Sequence, residues 1–231
     1  MSESGHGNMN RYYTDALRKR IGNTWASYMR SQDGDNWDEL SPVQPQHKHK
    51  YVEHLETYLP DKNIRILELG AGDGSETRLL MDAGWKDVTG VTVGQMNLSR
   101  GKELHKVDLY YMDMHFMDFP TRTFDAVIGF QTYEHSPAPI LLGLEMNRVL
   151  KNGGKILLEV PIGEKHMPVQ SSPHHVNVIE DWQAKAQLAM SGFENITTVK
   201  RDDMMVIYGE KVGAGDHNNH FNDIVEGKFL N

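Results

Sequence analysis

The chain contains no cysteine, no long apolar run and no concentration of positive charge, and each absence removes a class of function. Without cysteine there are no disulfides, no thiolate nucleophile and no cysteine-ligated zinc or iron–sulfur centre, which fits a reducing compartment. No stretch of 18 or more apolar residues is found, and the polar opening Ser2-Glu3-Ser4-Gly5-His6 lacks the basic-then-apolar pattern of a signal peptide. Neither membrane spanning nor export is expected, and cytoplasm is the default location. Twenty-four Lys and Arg stand against 32 Asp and Glu, for a formal charge of -8. A phosphate backbone would be repelled by this balance, and no Lys/Arg stripe creates a local exception, so nucleic acid is a disfavoured partner.

What remains is 231 residues with 39% hydrophobic content, enough for one α/β domain with decoration. Residues 1–60 read as a helical preface: pieces at Ala16–Ile21, Trp25–Met29 and His47–Leu59, the last stopped by Pro60. Its aromatics Tyr12, Tyr13, Trp25, Tyr28 and Trp37 suit either a lid over a substrate or plain helix-to-sheet packing. From Ile64 short β-rich runs alternate with helical stretches. Strands are expected at Ile64–Leu69, Asp87–Val93, Asp108–Met112, Phe124–Phe130 and Gly154–Val160, with helices at Ser75–Ala83, Gln95–His105 and Pro139–Leu150 between them. A helix at Ile179–Ser191 and two closing strands, Phe193–Lys200 and Met204–Lys211, complete the domain 61–212. The fold expected is α/β, a doubly wound, mostly parallel seven-stranded sheet with a C-terminal β-hairpin and an N-terminal helical extension. Residues 213–231, rich in Gly, Asn, Asp and His, read as a weakly ordered tail.

At the end of the first strand stands Glu68-Leu69-Gly70-Ala71-Gly72-Asp73-Gly74. A strand, a glycine turn and a helix bring backbone close to a ligand at the carboxyl edge of an α/β sheet, and Gly70, Gly72 and Gly74 offer no Cβ to keep it away. A dinucleotide site would place its third glycine three residues after the second, where Ser75 stands. The Gly-x-Gly-x-Gly spacing, with a carboxylate two residues ahead, would repel pyrophosphate and suit a cationic ligand such as the amino group of a methionine-derived cofactor.

Glu68–Gly74 resembles the first motif of class I S-adenosylmethionine (SAM)-dependent methyltransferases, of the type that acts on small molecules. The resemblance runs from about Ile64 to Val160 and is strongest here and at Asp113-Met114…Phe124-Asp125. It implies SAM as cofactor, S-adenosylhomocysteine as product, and contacts from Glu68, Gly70, Ala71, Gly72 and Gly74. Most of the family ends its second strand in an acid that holds the ribose, whereas Gly90-Val91-Thr92-Val93 offers Thr92. That segment is similar to the one in cyclopropane-fatty-acid synthases and sterol-type methyltransferases, where a Gln five residues on holds the ribose. Asn97 occupies that place, with Gln95 the alternative. The resemblance further implies that Asp113 accepts from the adenine amino group and that the backbone of Met114 meets an adenine ring nitrogen. Met112, Met114, Phe116 and Met117 suit either flanks for that ring or core filling.

After the fourth strand comes Gln131-Thr132-Tyr133-Glu134-His135-Ser136-Pro137, where the family often has Leu-Glu-His and Tyr133 replaces the Leu. Gln131 is counted with the cofactor contacts. His135 is the candidate general base, its other role being to hold Glu134 and the loop in place. Glu159–His166 and Ser171–His175 are further candidates for an acceptor pocket. The scattered pairs His47/His49, His174/His175 and His217/His220 have no placed carboxylate partner, and although Glu159, Glu164 and Asp181 lie where a magnesium ion chelating an acceptor would sit, no metal is expected. The acceptor expected is a small molecule methylated at O, N or C. Lipid- or sterol-type carbon methylation, cyclopropane-synthase-like chemistry and a non-catalytic SAM-binding subunit are the alternatives, and a homodimer stays open.

Overall fold

The computed structural model describes residues 45–163 and 175–212. The helical pieces before residue 45, the segment 164–174 and the tail 213–231, with the expectations placed on them, lie outside the described residues.

The elements follow one another as α1 (Pro45–Tyr58), β1 (Arg65–Leu69), α2 (Ser75–Asp82), β2 (Asp87–Thr92), α3 (Gln95–Arg100), β3 (Leu109–Tyr111), β4 (Phe124–Phe130), α4 (Pro139–Val149), β5 (Leu150–Pro161), α5 (Asp181–Met190), β6 (Phe193–Arg201) and β7 (Met204–Lys211). Local chemistry explains several ends. Pro139 sits in the first turn of α4, where its missing N–H costs nothing. Glu180 and Gln183 cap α5 reciprocally, side chain to backbone in both directions. The helix expected at Gln95–His105 changes after Arg100 into a five-residue π-helical turn, Gly101–His105. The fifth strand begins earlier than expected, at Leu150, because Phe124 pairs with Leu150 before a register shift brings Ala126 opposite Lys155.

The strands form one seven-stranded sheet in the order β3-β2-β1-β4-β5-β7-β6. The first five are parallel; β7 runs antiparallel to both β5 and β6, which makes the C-terminal hairpin. Side chains alternate between two buried faces. Leu67, Leu69, Val127, Ile156, Leu158, Met205 and Ile207 pack with Leu142, Met146 and Val149 of α4 and Ala184 and Leu188 of α5. Ile66, Ala126, Ile128, Leu157 and Val206 face the other way, against Leu55 of α1 and Leu80 of α2. The result is a three-layer sandwich, the doubly wound arrangement expected from the β-α alternation.

One topological feature positions the site. From β1 the chain builds outward through β2 and β3, then returns to place β4 on the other side of β1. The turns leaving β1 and β4 therefore diverge, opening a crevice at the carboxyl edge of the sheet.

Candidate cofactor and acceptor site

The glycine turn after β1 forms one wall of that crevice. Gly70, Gly72 and Gly74 all adopt positive φ, +61°, +52° and +82°, a backbone region that strains side-chain-bearing residues. Their surroundings differ. A Cβ on Gly70 would stand 2.4 Å from Oγ1 of Thr132, and one on Gly74 would stand 2.5 Å from Val107, so both glycines are needed for packing. A Cβ on Gly72 would meet nothing within 4 Å among the described residues: this glycine alone of the three faces open space there. Neighbouring backbone is fixed by the Ala71 N–H donating to Val91 O, the Gly74 N–H donating to Ala71 O, and the Ser75 N–H donating to Asp73. Burial would raise the Asp73 carboxyl, but the Ser75 bonds and His105 outweigh it and hold Asp73 below the usual carboxylate range.

Glu68, at 2% exposure, accepts a 2.5 Å hydrogen bond from the Thr77 hydroxyl of α2. Across the sheet, Thr92 is buried at the end of β2, where its hydroxyl accepts from the Gly94 N–H. It thereby caps the turn into α3. Asn97, on the first turns of α3, is buried as well and accepts a long hydrogen bond from Arg100. Gln95, the alternative at the ribose place, is exposed.

Asp113 is held by a partner that sequence reasoning did not pick out. Its Oδ1 accepts from the His115 backbone N–H at 2.8 Å and lies 2.7 Å from His115 Nδ1, while His115 Nε2 lies 2.7 Å from Oγ of Ser136. His115 is 2% exposed and Ser136 fully buried, so this relay ties the turn after β3 to the loop after β4. The only sequence signal was the two-residue spacing Asp113-x-His115. Of the methionines nearby, Met117 is core, and its N–H donates to buried Glu145; Met112 and Met114 pack against the same core with part of their surface accessible.

The loop after β4 closes the crevice. Gln131 takes φ +53°, donates its N–H to Glu159 O and directs its side-chain amide to Met204 of β7. Its side chain thus faces the hairpin side of the crevice. Thr132, also missed from sequence, hydrogen-bonds Leu69 O and Phe130 O and clasps β1 to β4. Tyr133, in place of the family's Leu, is core: it is 1% exposed, with its hydroxyl donating to Gln187.

Glu134 follows, with no exposed surface and, among the described residues, no hydrogen-bond partner for either carboxylate oxygen. Burial, reinforced by nearby Glu159, pushes its carboxyl up to about 8. His135 Nε2 stands 3.9 Å from Glu134 Oε1, outside hydrogen-bond range, and the His135 ring meets that of His175 edge-on at 5.0 Å. Donor atoms of Glu134, His135 and His175 lie within 4.8 Å of one another. Sequence reading had paired His175 with His174; the fold joins it to Glu134 and His135 instead. Further along the same sheet edge an open cavity of about 480 Å³ is lined by Ile162, Gly163, Glu180, Asp202 and Asp203, separate from the glycine turn.

With this geometry in view, the comparisons with known proteins are direct. Residues 67–158 match the family model of a methyltransferase domain. That match takes in the glycine turn, the turn after β3 and the loop after β4. Among curated relatives, cycloartenol-C-24-methyltransferase 1 of Oryza sativa subsp. japonica is 33% identical over 39% of this chain and 28% of its own length. The 2-methyl-6-phytyl-1,4-hydroquinone methyltransferase of Synechocystis sp. is 26% identical over 57% of this chain and 44% of its own. The chain therefore spans less than half the length of the curated relatives it matches. Among solved structures, phosphoethanolamine N-methyltransferase 2 of Haemonchus contortus, in complex with SAM, superposes with a TM-score of 0.65 over 78% of this chain and 56% of its own. At 17% identity that likeness concerns the fold. Among the described residues no helix is long and apolar enough to cross a membrane.

Proposed function

We propose that the chain transfers the methyl group of SAM to an O, N or C centre of a small-molecule acceptor and releases S-adenosylhomocysteine. The observation that carries this reading is Gly72: a positive-φ residue in the methyltransferase domain's first turn, facing open space at the sheet's switch point. The polar groups around the crevice suit the same cofactor. Glu68 and the turn 70–74 would hold the methionine end, Thr92 and Asn97 the ribose, and Asp113 with the backbone of Met114 the adenine. Gln131 would border the cofactor on the side facing β7.

When bound, SAM supplies an electrophilic methyl group on a sulfonium that already is the leaving group. What this chain's residues do is orient, desolvate and accept a proton. The loop 131–136 flanks the reacting end, and its buried Tyr133 and Ser136 anchor it to the core, so that an acceptor meets a fixed wall. His135 is the candidate proton acceptor at that end, and it stands beside Glu134 and His175, not alone.

A second reading, carbon methylation of a lipid or sterol-like acceptor, is favoured by Thr92 in the place of the ribose-binding acid and by the likeness to a cycloartenol methyltransferase. Incubation with methyl-labelled SAM and a panel of hydroxyl, amine and isoprenoid acceptors tests the proposal. Label transfer with equimolar S-adenosylhomocysteine supports it, and the acceptor class decides between the readings. Tight cofactor binding with no label transferred to any acceptor would favour a SAM-binding subunit.

A further inference from the structure

We propose that Glu134, His135 and His175 bind one divalent transition-metal ion at the acceptor end of the crevice. Two observations carry this independently. One is the convergence of three donors of the right kind, two imidazoles and a carboxylate, from two separate segments of the chain. Such a set binds Zn²⁺, Fe²⁺ or Mn²⁺ and leaves coordination places for other ligands. The other is the state of Glu134: a carboxylate with no exposed surface and, among the described residues, neither oxygen hydrogen-bonded. Buried polar atoms are ordinarily paired, and an unpaired carboxylate is among the most costly groups to leave so.

The spacing supports an ion over a direct contact. At 3.9 Å the His135 nitrogen and the Glu134 oxygen are too far apart for a hydrogen bond. With metal–ligand bonds of about 2.0–2.2 Å, two ligands of one ion stand roughly 3–4 Å apart, which matches that gap. The full cluster, within 4.8 Å, needs side-chain shifts of under about an ångström to close on one ion. Glu159, near enough to act on the charge of Glu134, adds negative potential around the place where the cation would sit.

The ligand class beyond the metal follows from the open coordination places. An acceptor hydroxyl or enol oxygen bound there is acidified by the ion, which favours methylation at oxygen or at the adjoining carbon. In that state the lone pair of His135 is on the metal, and His135 serves as a ligand instead of the free base expected from sequence. This last step rests on the methyl-transfer reading; the ion site itself does not.

The test uses the full chain, stripped with a chelator and titrated calorimetrically with Zn²⁺ and Co²⁺, the latter also followed by its visible absorption. Glu134→Gln, which keeps the shape of the side chain, and His175→Ala, in a segment outside helix and strand, are titrated alongside, with melting curves to confirm folding. One ion per chain, weakened at least about tenfold in both variants, supports the site. No binding, or binding that both folded variants retain in full, overturns it, the latter because the chain's other histidines would then hold the ion. S-adenosylhomocysteine titrated into the same samples separates the two proposals: cofactor binding without ion binding removes only the metal site.

Discussion

Replacing Gly72 by alanine separates a cofactor-facing glycine from a structural one. The added methyl group meets no atom of the described residues within 4 Å, so their packing leaves only the conformational penalty of a non-glycine residue at φ +52°. That penalty is about 1–2 kcal/mol, and for a domain of this size each kcal/mol lowers the melting temperature by roughly 2–4 °C. Gly72→Ala is therefore expected to melt about 2–8 °C below the parent. Its affinity for S-adenosylhomocysteine should fall by more than tenfold, about 1.4 kcal/mol, since the methyl group occupies the space where the ligand must approach the backbone. Gly70→Ala provides the contrast. Its Cβ would stand 2.4 Å from the Thr132 hydroxyl that clasps β1 to β4, so overpacking of about 1–3 kcal/mol adds to the conformational cost. Scanning fluorimetry and calorimetry on both variants check the pair. Full affinity in Gly72→Ala, or a larger stability loss there than in Gly70→Ala, would refute the assignment of Gly72 to the ligand.

Asp113→Ala should weaken S-adenosylhomocysteine by about 1–3 kcal/mol through the lost adenine hydrogen bond, measured calorimetrically; unchanged affinity would remove Asp113 from the site. Lys211 donates to Asn147 O and Leu150 O at the end of α4, so Lys211→Met should cost about 1–3 kcal/mol in urea unfolding by leaving buried carbonyls unpaired. Burial would raise the Asp125 carboxyl, but the Lys151 ammonium and the Arg65 N–H outweigh it and hold the group below its ordinary range. A carboxylate lowered on folding contributes stability above its unfolded pKa near 4, and the contribution is lost as pH falls through the folded value. Asp125→Asn should accordingly show a flatter loss of stability below about pH 4 than the parent, and parallel acid-unfolding profiles would contradict this.

The legible parts of this fold share a physical origin. Period-two and period-3.6 patterns located the strands and most helices to within a few residues, because each strand of a sheet covered on both faces is a short, almost wholly apolar run. Where two signals overlapped, the boundary moved: Leu150 closes the helical pattern of α4 yet pairs with Phe124 as the first residue of β5. The glycine turn was legible because its function needs an absence of side chain, which a sequence displays directly. Thr132, His115 and Ser136 were not, because their importance comes from contacts with Gly70 and Asp113 that are distant in the chain or lack any periodicity. His175 reached its place beside Glu134 and His135 through the fold alone, about forty residues from them, and no spacing rule connects such partners.

The central claim is that this crevice holds SAM, and parallel calorimetric titrations of the purified chain with S-adenosylhomocysteine and with NAD test it most directly. The account predicts one site per chain for S-adenosylhomocysteine with micromolar affinity and no heat from NAD. Binding of NAD alone, or of neither, would contradict it.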